Sequence, residues 1–160
     1  MSLSSREYVL KLLATSAEAL GVKYTKQTPT TLQLWARENT GAFVANISMS
    51  ESRTPINKNL DYVTYTVGLF FVVSRDFDLT EENKTKQEND ASKLANDFLS
   101  MLKKNDVSNT VLNGSMDSIF RNGGYLGLGM AGVYNISLAD RDDYCDIFCN
   151  DTTKDIGCDS

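Results

Sequence analysis

The chain contains no histidine. That absence removes the Ser-His-Asp and Cys-His nucleophile systems, imidazole acid–base chemistry and His-ligated zinc sites together. Only two prolines and one tryptophan occur in 160 residues. No apolar run approaches the roughly 18 residues that a membrane-spanning helix needs. The opening MSLSSREYVLKLLATSAEALG carries Lys11 and Glu18 within its apolar stretch, so it reads as a helix rather than a secretory signal. Cysteine is also scarce, and Cys145, Cys149 and Cys158 all fall near the C-terminal end. Their C-x3-C-x8-C spacing fits no zinc knuckle, and an odd count closes no disulfide framework. Free thiols in a reducing compartment are the expected state, with a Cys145–Cys149 bridge as the alternative.

Charge is present but unevenly placed. Between Ala139 and Ser160, seven aspartates face only Arg141 and Lys154, which accounts for the whole net charge of −5. A balanced body with an acidic tail argues against a nucleic-acid binder, which needs a basic stripe to displace counterions. The tail reads either as a solvated end or as an arm for a neighbour's basic surface. Its D-R-D-D-Y-C-D run, Asp140 to Asp146, lacks the glycine and terminal glutamate of an EF-hand, so no metal site is expected there.

Hydrophobic patterning supplies the fold. Ser5 to Leu20 predicts a first helix, with Val9, Leu12, Leu13, Ala17 and Leu20 on one stripe and Gly21 as its stop. Thr31 to Glu38 alternates, Asn39-Thr40-Gly41 reads as a turn, and Ala42 to Met49 places Phe43, Ala45, Ile47 and Met49 on one face. Together they predict a hairpin. Ser50 to Asn59 is polar, contains Pro55 and lacks a period, which predicts a loop. Tyr62 to Arg75 predicts a long strand carrying Val63, Tyr65, Val67, Leu69, Phe71 and Val73 on one face, apolar on both faces toward its end.

A second helix follows Thr80 as N-cap, with Glu81 and Glu82 in the first turn and Lys103 and Lys104 at the end. Ala91, Leu94, Ala95, Phe98, Leu99 and Leu102 form its stripe, and its first eleven residues offer nothing to a core. Asp106 to Asn113 reads as a connector, Met116 to Arg121 as a short strand, Gly123-Gly124 as a turn and Tyr125 to Leu138 as a long strand. That last strand carries Gly127, Gly129 and Ala131 on one side, a sign of close backbone approach or of a neighbouring subunit. The order is α-β-β-β-α-β-β plus an acidic tail. One α+β domain over 1–138 is expected, mainly antiparallel, with both helices on one face and the other face wet.

Catalytic patterns are thin. Asp76, Asp78, Glu81 and Glu82 cluster at a helix N-terminus, where capping accounts for them better than a dyad with separated pKa values. A metal-dependent nuclease of the PD-(D/E)xK type needs an acid and an E-x-K on adjacent strands. The chain's E-x-K is Glu82-Asn83-Lys84, at the start of a helix. The glycines from Gly123 to Gly129 open a strand and lack a Walker lysine, so they cradle no phosphate. The sequons at Asn46 and Asn135 fall inside strands. No cofactor is implied.

What remains is surface. Strands of about fourteen residues exceed the usual five or six, and strands that outrun their own helices call for cover by other subunits. The element order, the size and the projecting polar segment Ser50 to Asn59 resemble the tail-terminator and head–tail joining ring proteins of tailed bacteriophages, over Arg6 to Leu138. The resemblance implies a non-enzymatic virion protein, assembled in the host cytoplasm as a homo-oligomeric ring between portal, neck or tail proteins. It implies no membrane and no specific nucleic-acid sequence, and it carries over no functional residue. The acidic Cys-containing tail departs from the family pattern. Polarity without periodicity, together with the small-residue strand, nominates Arg53, Pro55, Lys58, Glu82, Lys86, Gly127, Gly129, Asp142 and Asp143 as intersubunit contacts. The alternative is a small ligand-binding or regulatory module with a pocket between the last strands and the helices.

Overall fold

A computed structural model describes residues 2–39, 41–73, 80–105, 111–120 and 128–145. For 111–120, Leu128 and Cys145 the backbone alone is described. The chain is α+β. Its main sheet has five strands: β2 (Lys23–Lys26), β3 (Phe43–Asn57), β4 (Leu60–Val72), β5 (Val111–Phe120) and β6 (Leu128–Ala139). They run in the order β2-β3-β4-β6-β5. β2 is parallel to β3, and every other pair is antiparallel. A two-stranded clasp, β1 (Ser2–Leu3) with β7 (Tyr144–Cys145), ties the segment before the first helix to the one that follows β6.

Helix α1 (Ser5–Ala19) forms where the stripe predicts it. Ser4 and Glu7 close a capping box, and Val9, Leu12, Leu13 and Ala17 are buried. Gly21 adopts φ +74°, and its N–H bonds the Glu18 carbonyl at 2.9 Å. A left-handed residue here ends the helix at little steric cost because glycine lacks a Cβ.

Thr31 to Glu38 is not a strand, and the expected hairpin through Asn39 does not form. The segment lies in α2 (Pro29–Glu38), capped by Thr28 with Pro29 in the first turn. Local chemistry decides this. The Thr28 and Thr31 side chains satisfy each other's backbone N–H groups at 3.0 and 3.2 Å, and proline fits a helix's first turn. Leu32 and Ala36 are buried one turn apart, whereas Leu34 is 63% exposed. A strand would place Leu32 and Leu34 on one face. The short edge strand β2, too polar to show a period, makes β2-α2-β3 a parallel crossover unit.

Ser50 to Asn57 is likewise strand rather than loop. β3 continues along β4 through Pro55↔Asp61, and the connection narrows to Lys58-Asn59. These residues are exposed on both faces, so no hydrophobic alternation could mark them. Pro55 is tolerated because an edge strand needs no N–H on its outer side. A bulge between Asn46 and Ser48 reverses the alternation. Phe43, Ala45 and Ile47 therefore face α2, while Met49 packs on the opposite face.

α3 (Glu81–Asn105) begins as expected, with the Asn83 N–H on Thr80 Oγ1 at 3.2 Å. Its stripe Ala91, Leu94, Ala95, Phe98 and Leu102 is buried, but so is Gln87, so the first half does reach the interior. β5 starts at Val111 and is ten residues long, exceeding the short strand expected from Met116. The Gly123-Gly124 turn, Gly127, Asp76, Asp78, Cys149 and Cys158 lie outside the described residues.

Two cores result. α1 and α3 share one sheet face, as expected, over Val44, Val63, Tyr65, Val67, Leu69, Phe71, Tyr134, Ile136 and Leu138. Phe98 meets Phe71 edge-to-face at 5.5 Å, and burying such a side chain stabilises by about 1.5–3 kcal/mol. The second face is not wholly wet, because Leu32 and Ala36 of α2 cover Phe43, Ala45, Phe70 and Val72 there. Beyond α2 that face is exposed and mixed, with Tyr62 and Val133 open to solvent beside Thr64 bonded to Ser137 and Thr66 to Asn135, each at 2.8 Å. Leu138 is not the end of the packed body. Tyr144 stacks on Tyr8 at 4.9 Å, and the Ser5 N–H bonds the Arg141 carbonyl at 2.9 Å.

Candidate functional site

The polar constellation that the fold assembles lies at the root of the β3–β4 arm. Three distant parts of the chain meet there: the start of α1, the middle of β3 and β4, and the residue following β6. Ser5 Oγ donates to Asp140 Oδ1 at 2.8 Å and lies 3.4 Å from the Tyr65 hydroxyl. That hydroxyl donates to Glu51 Oε1 at 3.2 Å. Arg53 bonds Glu51 Oε1 at 3.1 Å and, with its other terminal nitrogen, Asp140 Oδ2. The Asp140 N–H bonds the Asp61 carbonyl at 2.9 Å, which fixes its backbone on β4.

The electrostatics are those of a closed clamp. The Ser5 hydroxyl, and then Arg53, hold the Asp140 carboxyl below the ordinary aspartate value. Burial pushes the Tyr65 hydroxyl up, so it stays protonated and keeps donating. Asp140 raises Arg53 further still. Each shift locks a group in its usual neutral-pH form, the opposite of an acid or base tuned toward pH 7. Among the described residues no three His, Cys, Asp or Glu side chains converge as a metal site.

The nominated residues are dispersed. Arg53 belongs to the clamp, which joins elements of one chain. Pro55 and Lys58 are exposed toward the arm's tip. Glu82 and Lys86 line an open recess of about 560 Å³ along the start of α3. Lys84 pairs there with Glu81 at 3.4 Å, so the E-x-K lies on a helix surface, not on paired strands. Gly129 is enclosed by its own chain. A Cβ at that position would lie 2.4 Å from the Phe71 carbonyl oxygen and 3.1 Å from the Phe70 ring. Asp142 is exposed, and Asp143 accepts from Arg141 Nε at 2.7 Å, which holds its carboxyl low. Gly127 lies outside the described residues.

Sequence reasoning missed Ser5, Glu51 and Asp140 as a group. Ser5 and Asp140 stand 135 residues apart, a pairing no local spacing announces. A second recess, about 320 Å³, lies where β2 gives way to α2 beside Ile47 and Ser48. Its Thr28 and Thr31 are already spent on each other. The Asn46 sequon is buried, its amide on the Tyr24 hydroxyl at 3.3 Å, and Asn135 is held by Thr66.

Past Asn46, β3 has β4 on one side and no strand on the other among the described residues. Near its tip Ile56 is 49% exposed. The longest polar strand of the fold therefore ends as an open edge, braced from within by Arg53. No protein-family model, curated protein or solved structure matches the chain.

Proposed function

We propose that the chain is a non-enzymatic structural subunit of a tailed-bacteriophage virion. It forms a homo-oligomeric ring at the head–tail junction or tail end, between portal, neck or tail proteins. The observation that supports this reading best is the braced arm. A hairpin exposed from Ser50 to Asn59 would be a liability on a solitary protein, yet the clamp of Ser5, Glu51, Arg53, Tyr65 and Asp140 holds its root rigid. Rigid exposed strand suits a part that neighbours must grip in one geometry. Among the described residues no helix is long and apolar enough to cross a membrane.

Size-exclusion chromatography with light scattering across a wide concentration range tests the proposal, with negative-stain images of any large species. A closed ring of one defined mass supports it. A strict monomer at every concentration, whose melting temperature rises with a metabolite, favours the ligand-binding module instead.

A further inference from the structure

We propose that the outer edge of β3 pairs with the same edge of a second copy, antiparallel about a two-fold axis at Ser52. This goes beyond the ring reading, because subunits of a simple cyclic ring meet through unlike surfaces, whereas a two-fold contact uses one surface twice. Two observations carry it.

The first is the open edge. β2 pairs with Phe43 to Asn46, and from Ser48 to Asn57 the strand is, among the described residues, laddered to β4 on its inner side alone. Its regular stretch, Ser48 to Pro55, is bounded by two register shifts. Backbone donors and acceptors along such an edge form a template for another strand.

The second is self-complementary charge. Outward-pointing backbone groups come from alternate residues, so a two-fold antiparallel register must be centred on a residue, not between two. Centred on Ser52, Glu51 lies opposite Arg53 of the second copy, and Arg53 opposite its Glu51. Ser50 then meets Thr54, and the ladder ends where Met49 lies opposite Pro55, which has no N–H to donate. Centring on Glu51 would oppose Glu51 to itself, and centring on Arg53 would oppose two guanidinium groups. Directly opposed cross-strand charges are favourable when unlike and unfavourable when alike, so the sequence Ser50-Glu51-Ser52-Arg53-Thr54 selects one register. Glu51 and Arg53 already touch within one chain at 3.1 Å. The pair would therefore bring four alternating charges together above the Tyr65 hydroxyl. The occupant is a second copy because the edge is its own charge complement.

The test uses the full chain. Sedimentation equilibrium should give even-numbered species. Glu51→Arg should weaken association roughly tenfold or more, since both cross-strand pairs become like-charged, while the circular-dichroism melt shows that the fold persists. A second probe needs no charge change. In a Cys145→Ser, Cys149→Ser, Cys158→Ser background, Ser52→Cys should cross-link to its own copy under mild oxidation far faster than Ser50→Cys, which lies away from the axis. A monomeric wild type, equal cross-linking at 50 and 52, or unchanged association of Glu51→Arg would each overturn the inference. A closed ring that persists without cross-linking at 52 would overturn this contact and leave the ring reading standing. A dimer that cross-links at 52 and never closes into a ring would do the reverse.

Discussion

Replacing Asp140 by Asn tests whether the clamp holds the C-terminal segment onto the body. The substitution keeps the shape and removes the charge. Ser5 Oγ lies 2.8 Å from Asp140 Oδ1. A hydrogen bond to a charged acceptor contributes about 1.5–3 kcal/mol against about 0.5–1.5 for a neutral one. The Asp140 side chain is 28% exposed, so the difference belongs near the low end, about 1 kcal/mol. The Arg53 contact is solvent-facing, and salt screens it. A loss of this size lowers the melting temperature of a domain of this length by roughly 2–4 °C. The pH dependence is the sharper reading. Asp140 has its carboxyl depressed in the folded chain. Its contribution is therefore complete above the ordinary aspartate pKa of about 3.9 and disappears as pH falls through the lower folded value. Urea unfolding of wild type and Asp140→Asn should show a constant gap from pH 7 to 5 that closes below about pH 4. A gap that survives at the acid end, or no gap at pH 7, would refute the clamp as an electrostatic device.

Three further outcomes follow from the packing. Leu32→Ala should cost about 2–5 kcal/mol in denaturant melts and Leu34→Ala less than about 0.5; equal costs would mean that this segment is a strand with both leucines on one face. Phe98→Ala, deleting a fully buried ring set against Phe71, should cost about 3–5 kcal/mol, and a shift under about 1 would show that α3 is not seated on the sheet. Gly129→Ala forces a Cβ to within 2.4 Å of the Phe71 carbonyl oxygen, a backbone atom that cannot swing away. It should destabilise by about 1–3 kcal/mol as measured on the monomer, and a neutral result would return Gly129 to the list of free surface positions.

Much of the architecture was legible from local chemistry alone. The period of Val9, Leu12, Leu13 and Ala17 and the apolar run of Leu69 to Val73 each declare their element, because composition records burial on one face of the helix and on both faces of the strand. The Thr80 cap declares its helix through its bond to the Asn83 N–H. The Thr28 cap with Pro29 and the spacing of Leu32 and Ala36 were equally present, but a strand-like alternation of eight residues masked them. What tertiary structure alone decided is the rest. β3 beyond Asn46 is extended because β4 lies beside it, and its exposed residues carry no hydrophobic signature of that pairing. Asp140 looks like one more charge in an acidic tail until the end of β6 delivers it to Ser5 and Arg53. The sequence by itself determined which segments bury apolar surface. Only the fold determined which polar residues meet, since contacts across 135 residues depend on where the sheet brings the chain back.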